Sequence, residues 1–275
     1  MSIVLNSNIN SVFAGTAVSQ TNVDLSKQME ALSTGKRINF ASDDSAGSTV
    51  VSRMALQIAG LNQSVKNAND GISLGQTYDA SAQTISNILV RMQTLATQIA
   101  STTYNSSDAK NANQEFVQLQ SEITRIANNT KWNGAYSLSN SSQTVLIQVG
   151  NTNSSDDSIK ISLNNMTASG LKVGTGVSIS SATAAGKALS SITVAMANLN
   201  SARAVSGAVV NRLQDTVSVL MNLSQRTQEA QSQIQSTDYA AASSALAKDN
   251  VLLQAGTAML AQANQQPQYI LTLLK

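Results

Sequence analysis

The residues of this sequence that most suggest chemistry lie in the stretch LSTGKRINFASDDSAGS, residues 32–48. Gly35-Lys36-Arg37 joins glycine to basic side chains, as phosphate-binding loops do, and Asp43-Asp44 offers two carboxylates for acid–base or metal chemistry. The basic group lacks the upstream glycine and the following Ser or Thr of a phosphate-binding loop. The acidic pair has no other carboxylate within 12 residues, which leaves too few ligands for a divalent cation. We therefore predict neither a catalytic nor a metal site here.

The same stretch has the features of a joint between two helices. A glycine commonly ends a helix, because it adopts the left-handed conformation without strain. Ser42, Asp43 and Asp44 precede a long helical pattern, where their oxygens can accept hydrogen bonds from free backbone N–H groups and suit the helix dipole. We predict that Gly35, Arg37 and these three residues form the joint.

The composition of the 275-residue chain excludes several classes of function. It contains no histidine and no cysteine, which removes thiol and imidazole catalysis, disulfides and the usual zinc sites. Its net charge of +2 comes from scattered side chains, so no basic block is available for nucleic acid. No apolar run approaches the length of a membrane helix, and the N-terminal residues lack the pattern of a Sec signal. We expect no enzyme activity, no cofactor, no nucleic-acid partner and no membrane insertion.

Periodic apolar residues predict long helices with narrow apolar seams. Spacings that alternate between three and four are typical of a helix that packs along a partner helix. One seam comprises Ile85, Ile88, Met92, Leu95 and Ile99, and a second comprises Phe116, Leu119, Ile123 and Ile126. A third seam runs through 189–220 and includes polar Arg203 and Ser206, which would fix helix register at some cost in stability. Long helices are therefore predicted near 45–100 and 184–236.

The middle of the chain follows a different pattern. Residues 143–149 and 158–163 alternate apolar and polar side chains between turn-forming clusters, which predicts a β-hairpin. Residues 169–180 are glycine-rich and irregular. The predicted fold is mainly α: a hairpin of long coiled-coil-like helices, with paired N- and C-terminal helices and a small β-hairpin region in the middle of the chain.

The C-terminal segment is apolar around most of its circumference. A seam includes Leu246, Leu253 and Leu260, while Val251 and Met259 are apolar away from that seam. Such a helix must be buried on several sides, which one partner helix cannot achieve. We therefore predict assembly of many copies through the two termini, and frayed ends in the isolated monomer. The predicted assembly residues are Leu246, Leu253, Met259, Leu260, Ile270, Leu271, Leu273 and Leu274.

The sequence Asn69-Asp70-Gly71 is unusual inside a helical pattern, because glycine costs about 1 kcal/mol there. One interpretation is a tolerated surface glycine. The other is a soft point at which long helices adjust their shape. The sequence leaves both interpretations open.

Several segments resemble those of bacterial flagellins. The N-terminal half carries LSTGKRINFASDDSAGSTVVSRM, GLNQSVKNANDGISLGQT and LVRMQTLATQIA, and the C-terminal end carries STDYAAASSALAKDNVLLQAGTAMLAQANQQPQYILTLLK. The resemblance covers about 1–150 and 185–275. It implies a structural subunit that polymerises with identical copies into the extracellular filament used for swimming. It also implies export without a Sec signal by a type III-type apparatus, and an export chaperone, a filament cap and hook-junction proteins as partners.

The resemblance also implies a layered organisation. Residues 1–40 plus 237–275 would be inner-core terminal helices, and 41–139 plus 181–236 would be outer-core long helices. Residues 140–180 would be a short β-hairpin and variable surface region. The joint of Gly35, Arg37, Ser42, Asp43 and Asp44 would then connect the inner and outer layers.

Two kinds of external recognition follow from the resemblance. Residues 89–100 match the region of flagellins that the vertebrate Toll-like flagellin receptor grips, which implies contacts by Val90, Arg91, Thr94 and Leu95. Because Val90, Gln93 and Thr94 replace polar or charged residues usual there, we predict weakened recognition. If the β region faces solvent, its serines are candidates for glycosylation. These candidates are Ser139, Ser141, Ser142, Ser154 and Ser155.

Two alternatives to a filament subunit remain open from the sequence. A hook–filament junction protein of the same superfamily shares the termini, but usually lacks the NANDGIS region and so close a C-terminal match. A secreted coiled-coil adhesin is the alternative from another class.

Overall fold

The computed structural model describes residues 7–134, 136–139, 143–152 and 154–273, without the side chains of residue 136 and residues 267–273. This part of the chain contains five α-helices and two small antiparallel sheets. The helices are α1 (Ile9–Thr34), α2 (Ser45–Ala100), α3 (Ser106–Asn129), α4 (Ala182–Gln235) and α5 (Tyr239–Leu273). The strands are β1 (Lys131–Trp132), β2 (Tyr136–Ser137), β3 (Gln143–Gln148) and β4 (Ser158–Leu163). The prediction of a mainly α fold with a small β-hairpin is confirmed.

The chain forms two compact units. The terminal unit comprises 1–56 and 227–275, and the central unit comprises 57–226. The long helices α2 and α4 contribute residues to both units.

In the terminal unit, α1 and α5 pair in antiparallel orientation. Near one end the Asn8 side chain donates a hydrogen bond to the carbonyl of Ala263 over 2.7 Å. Near the other end the Tyr239 hydroxyl donates to the carbonyl of Leu32 over 3.2 Å. Yet α1 contains no buried residue. One partner helix therefore leaves apolar side chains of α1 exposed, Phe13 among them.

In the central unit, α2 and α4 also run antiparallel. The Arg203 Nε donates to Asp79 Oδ1 over 2.8 Å, and the Ser86 hydroxyl lies 3.5 Å from the sulfur of Met196. The polar seam position Arg203 is thus paired across the two helices. Ser206 is buried, and among the described residues its hydroxyl has no hydrogen-bond partner. The predicted seams supply much of the core, with Ile85, Met92, Leu95, Ile99, Phe116, Ile123, Ile192, Leu199, Leu213 and Leu220 buried.

Two glycines let α2 approach its neighbours closely. A Cβ on Gly71 would lie 3.0 Å from Cγ1 of Ile147 and 3.1 Å from Cδ1 of Leu213. A Cβ on Gly75 would lie 2.5 Å from Cγ2 of Val210. Both glycines are buried within a continuous helix. The tolerated-surface interpretation of Gly71 is therefore wrong, because Gly71 is buried against β3 and α4, where an added Cβ would require these neighbours to shift.

The predicted β-hairpin is present as β3 and β4. Val145 pairs with Ile161 and Ile147 pairs with Ile159, so alternate side chains face the core as the pattern indicated. A second hairpin, β1–β2, was not predicted. Its turn contains Asn133 and Gly134, with φ values of +49° and +72°. Asn-Gly is a strong signal for a tight hairpin turn, so the sequence did contain the information.

Residues 164–181, here named the return segment, differ from the expected irregular surface. Met166, Leu171, Val173 and Ile179 are buried, so this half of the predicted 140–180 surface region belongs to the core. Polar side chains of α3 hold its backbone. The buried side chain of Gln120 donates to the carbonyl oxygens of Gly174 and Val177, and Asn113 accepts from the backbone N–H of Ile179. Side chains of α3 thus supply hydrogen bonds that the backbone of the return segment would otherwise obtain from a neighbouring strand.

Candidate assembly surface and joint

The joint begins where α1 ends at Gly35. Its φ of +69° is in the left-handed region, where glycine ends a helix without strain. The backbone N–H of Thr237 donates to the carbonyl of Gly35 over 3.0 Å, and that of Arg37 donates to the carbonyl of Gln235 over 2.7 Å. The α1–α2 connection therefore pairs with the α4–α5 connection through backbone hydrogen bonds.

Arg37 reinforces this pairing from its side chain. Its guanidinium donates to the carbonyl of Ile234 over 2.9 Å and lies 3.7 Å from Asp44 Oδ2. The Arg37 side chain is largely exposed, so this ion pair contributes at most about 1 kcal/mol. The guanidinium also interacts with one of the last carbonyls of α4, at the negative end of that helix.

Asp43 and Asp44, both predicted to cap α2, accept hydrogen bonds from different backbone segments. Asp44 caps α2, because its Oδ1 accepts from the backbone N–H of Gly47 over 2.8 Å. Asp43 instead accepts from the backbone N–H groups of Phe40 and Asn39, over 2.9 and 3.1 Å. These hydrogen bonds, with Phe40 contributing most, lower the pKa of Asp43 below its usual value of 3.8.

The expectation that Ser42, Asp43 and Asp44 all begin α2 is therefore correct only for Asp44. Ser42 is exposed within the turn. Asp43 instead closes the turn, because its Oδ2 accepts from two backbone N–H groups that precede it in the chain.

The α1–α5 pair presents a large apolar surface to solvent. Phe13 is 76% exposed and Met259 is 64% exposed. The exposed large apolar side chains of the two helices are Ile9, Val12, Phe13, Val23, Met29, Tyr239, Val251, Leu252 and Met259. Phe13, Leu252 and Met259 help to line a cavity of about 520 Å³ between the helices. We name the exposed apolar side chains of α1 and α5 the terminal surface.

The predicted C-terminal assembly residues divide by their position on α5. Leu246, Leu253 and Leu260 are half-buried, whereas Met259 is exposed. The side chains of Ile270, Leu271 and Leu273, and the whole of Leu274, lie outside the described residues. Assembly through both termini is predicted from the sequence, but the residues named for it are all C-terminal, and the exposed Ile9, Val12 and Phe13 of α1 are not among them. The apolar stretch INSVFAG in a helix with few charges was the available signal.

The residues predicted to contact the receptor lie along α2, but their side chains differ in solvent exposure. Val90 is exposed, and the Thr94 hydroxyl donates to the carbonyl of Arg91 over 2.7 Å. Arg91 is paired with Glu115 of α3, with 2.8 Å between Nε and Oε1. Leu95 is only 4% exposed and belongs to the core. Its receptor contact stays a prediction, and the burial of the side chain argues against it.

The candidate glycosylation serines also have different surroundings. Ser154 and Ser155 are exposed beside the short 3₁₀ turn that follows β3. Ser139 is half-buried, and its hydroxyl lies 2.8 Å from that of Ser137. Ser141 and Ser142 lie outside the described residues.

The part of the chain that the structure describes shows neither a candidate membrane span nor a metal-binding cluster. No described helix combines the length and the apolar character needed to cross a bilayer. Within the same residues, no group of three or more His, Cys, Asp or Glu side chains is placed to hold a metal ion.

Comparison with known proteins identifies the family. Residues 5–143 match the bacterial flagellin N-terminal helical region, and 189–274 match the bacterial flagellin C-terminal helical region. The chain belongs to the bacterial flagellin family. It is 39% identical to a flagellin of Halalkalibacterium halodurans, over 90% of this chain and 91% of that one. It is 36% identical to the flagellar filament core protein flaB2 of Brachyspira hyodysenteriae, over 99% and 100% of the two chains.

A solved structure gives a partial match. The crystal structure of Bacillus cereus flagellin is 30% identical, covers 56% of this chain and 88% of its own, and has a TM-score of 0.48. The sequence relatives carry the functional conclusion. This flagellin is a structural subunit of the extracellular flagellar filament used in swimming, and it polymerises with identical copies.

Proposed function

We propose that the terminal surface is the contact through which copies of this flagellin assemble. The supporting observation is that α1 and α5 pair with each other and still expose side chains as large as Phe13 and Met259. Covering apolar area stabilises by about 25 cal/mol per Å², so neighbouring copies have a strong driving force to bury this surface. Heterologous contacts that do not close into a ring then generate a helical filament.

The layered organisation follows from this proposal. Residues 1–40 plus 237–275 form the inner layer, 41–139 plus 181–236 form the outer layer, and 140–180 contain the β-hairpin region. Leu246, Leu253, Met259 and Leu260, with Ile270, Leu271, Leu273 and Leu274, contribute assembly contacts. The joint of Gly35, Arg37, Ser42, Asp43 and Asp44 connects the two layers. Its backbone pairing supports the role, because it fixes both connections of the chain at one point.

The remaining partners are proposed from the family. A type III-type apparatus exports the chain, and an export chaperone, the filament cap and hook-junction proteins bind it. No catalytic or cofactor role is assigned. Recognition by the Toll-like flagellin receptor is weak, because Arg91 is engaged with Glu115 and Val90 and Thr94 offer no charge. Ser154 and Ser155 are the best placed of the glycosylation candidates, because both are exposed.

Paired double variants test the assembly surface. Phe13→Gln with Val251→Gln removes apolar area without adding charge, and Phe13→Leu with Val251→Ile preserves it. We expect the glutamine variant to raise the critical concentration for polymerisation in vitro at least about tenfold, since about 1.4 kcal/mol corresponds to tenfold. The conservative variant should assemble like the wild type. Circular dichroism of the monomers provides the control for folding.

Truncation provides a second test. A variant that lacks 250–275 should fail to form filaments under the electron microscope while 57–226 remains folded. Normal filaments from the truncated chain, or from the glutamine variant, would refute the terminal surface as the assembly contact.

A further inference from the structure

The sulfur chemistry of this chain is confined to methionine. The sequence contains eight methionines and no cysteine. In the core, Met92 and Met166 are fully buried. Three of the described methionines are well exposed: Met29 by 57%, Met221 by 58% and Met259 by 64%. Oxidation follows access to the thioether, so these three are the reactive ones.

Met259 differs from the other two in its surroundings. It lies on α5 and helps to line the cavity of about 520 Å³ between α1 and α5. Phe13, Val18 and Leu252 line the same cavity and offer no hydrogen-bond donor from their side chains. Met259 is therefore open to solutes in the free subunit, in a cavity lined mainly by apolar side chains, although Asn10, Thr21, Gln262 and Gln266 also line it. Met221, on α4, is as exposed but does not line this cavity.

We propose that Met259 is a site of reversible oxidation that controls assembly. The oxidant is a hydroperoxide, for example hydrogen peroxide. A lone pair of the thioether sulfur attacks one oxygen of hydrogen peroxide, the O–O bond breaks, and the released hydroxide takes the proton of the transferred oxygen to become water. The sulfur loses two electrons and gains one oxygen, and the peroxide is reduced by the same two electrons. This inference rests on the proposed role of the terminal surface.

The sulfoxide opposes assembly because it is polar and accepts hydrogen bonds. Neighbouring copies would have to bury it against the apolar side chains of Phe13 and Leu252, and burial of a polar sulfoxide against apolar groups is less favourable than burial of the thioether. The same burial protects the unmodified thioether once a filament has formed. Oxidation therefore acts on free subunits, and enzymatic reduction of the sulfoxide restores them.

Three proteins separate Met259 from the other thioethers: the wild type, Met259→Leu and Met221→Leu. Leucine preserves apolar character and approximate volume, so untreated Met221→Leu should assemble like the wild type. Because Met259 is itself a proposed assembly contact, each oxidised protein is compared with its own untreated critical concentration. Free subunits are treated with hydrogen peroxide, the peroxide is removed with catalase, and peptide mass mapping locates the added oxygen. We expect oxidation to raise the critical concentration about tenfold in the wild type and in Met221→Leu. Oxidised Met259→Leu should stay within about twofold of its untreated value.

Three results would overturn the proposal. Oxidised wild-type subunits that assemble normally would show that the sulfoxide is tolerated. An equal loss in Met259→Leu would assign the effect to another thioether, since that variant retains Met29. Failure of methionine sulfoxide reductases with dithiothreitol to restore assembly would contradict reversibility.

The failure of this proposal can be distinguished from failure of the assembly surface. The untreated glutamine double variant at Phe13 and Val251 tests the assembly surface without any oxidant. If that variant is defective while oxidised wild type assembles normally, the surface stands and the oxidation site is refuted. If that variant assembles normally, the assembly surface is refuted, and the oxidation site with it because it rests on that surface.

Discussion

At the scale of single residues, one carboxylate controls the turn between α1 and α2. Asp43 accepts hydrogen bonds from the backbone N–H groups of Phe40 and Asn39, which favours its ionised form and lowers its pKa. Its neighbour Asp44 caps α2 through Gly47. Two adjacent residues of the same type thus stabilise different backbone segments, and each is best tested separately.

Replacement of Asp43 should give a stability difference that depends on pH. A carboxyl whose pKa is lower in the folded chain contributes stability above its unfolded pKa. That contribution is lost as the pH falls through the folded pKa. Wild type should therefore be more stable than Asp43→Asn at neutral pH, and the difference should shrink as the pH falls below 3.8.

Thermal unfolding followed by circular dichroism from neutral pH down to about 2 measures this difference. Carbon NMR titration of the Asp43 carboxyl measures its pKa directly. A stability difference that stays constant over the whole range would contradict the assigned hydrogen bonds.

At the scale of elements, glycines and polar side chains determine how the helices pack against β3 and the return segment. Gly71 and Gly75 allow α2 to approach β3 and α4, and Gln120 holds the return segment against α3. Neither the glycines nor Gln120 contributes to the periodic spacing of apolar residues from which the helices were predicted. Both are nevertheless required for the seams to meet in the observed register.

Gly75→Ala should destabilise the central unit. The added methyl would lie 2.5 Å from Cγ2 of Val210, so the two helices must move apart or Val210 must change rotamer. Overpacking of this kind costs about 1–3 kcal/mol, more than the gain in helix propensity. Gly207→Ala is the matched control, because no atom lies within 4 Å of its Cβ position, and it should stabilise by up to about 1 kcal/mol. Urea unfolding of both variants gives the comparison, and equal effects would refute close packing at Gly75.

Gln120→Ala should loosen the return segment. It removes hydrogen bonds of 3.0 and 2.8 Å to the carbonyl oxygens of Gly174 and Val177, and it leaves these partly buried carbonyl groups without that donor. We expect a loss of about 1–3 kcal/mol in the free energy of unfolding. Hydrogen exchange should also accelerate in 171–180. Gln118→Ala, at an exposed position of the same helix, should leave both measurements unchanged. If the two variants behave alike, the anchoring role of Gln120 is wrong.

At the scale of the whole molecule, stability is distributed unevenly along the chain. The central unit has a large apolar core drawn from three helices, a hairpin and the return segment. In the terminal unit α1 has no buried residue, although α1 and α5 are paired. Segments with few buried apolar contacts open at low free energy, and covering by neighbouring copies raises that free energy.

Hydrogen exchange should reveal this difference. In free subunits, the amides of α1 and α5 should exchange much faster than those of α3 and the buried parts of α2. In filaments, protection of α1 and α5 should rise strongly, while the amides of α3 around Ile123, already protected, change far less. Mass spectrometry of the two forms measures both. Equal protection of α1 in subunits and filaments would contradict coupled folding and assembly.

Local patterns in the sequence determined much of this flagellin. The spacing of apolar residues gave the long helices, alternation gave β3 and β4, and the glycine after α1 gave its end. These features follow from interactions within a few residues, and a single sequence therefore records them. The apolar circumference of the C-terminal helix likewise indicated a surface that needs several neighbours, and the segment motifs indicated the family.

Tertiary structure alone decided which distant residues meet. The backbone of the return segment is held by Gln120 and Asn113 of another helix, and the close packing at Gly71 and Gly75 depends on β3 and α4. The different partners of Asp43 and Asp44 depend on how the chain turns between helices. None of these contacts produces a periodic pattern in the sequence. Each joins residues that are brought together only when the chain folds.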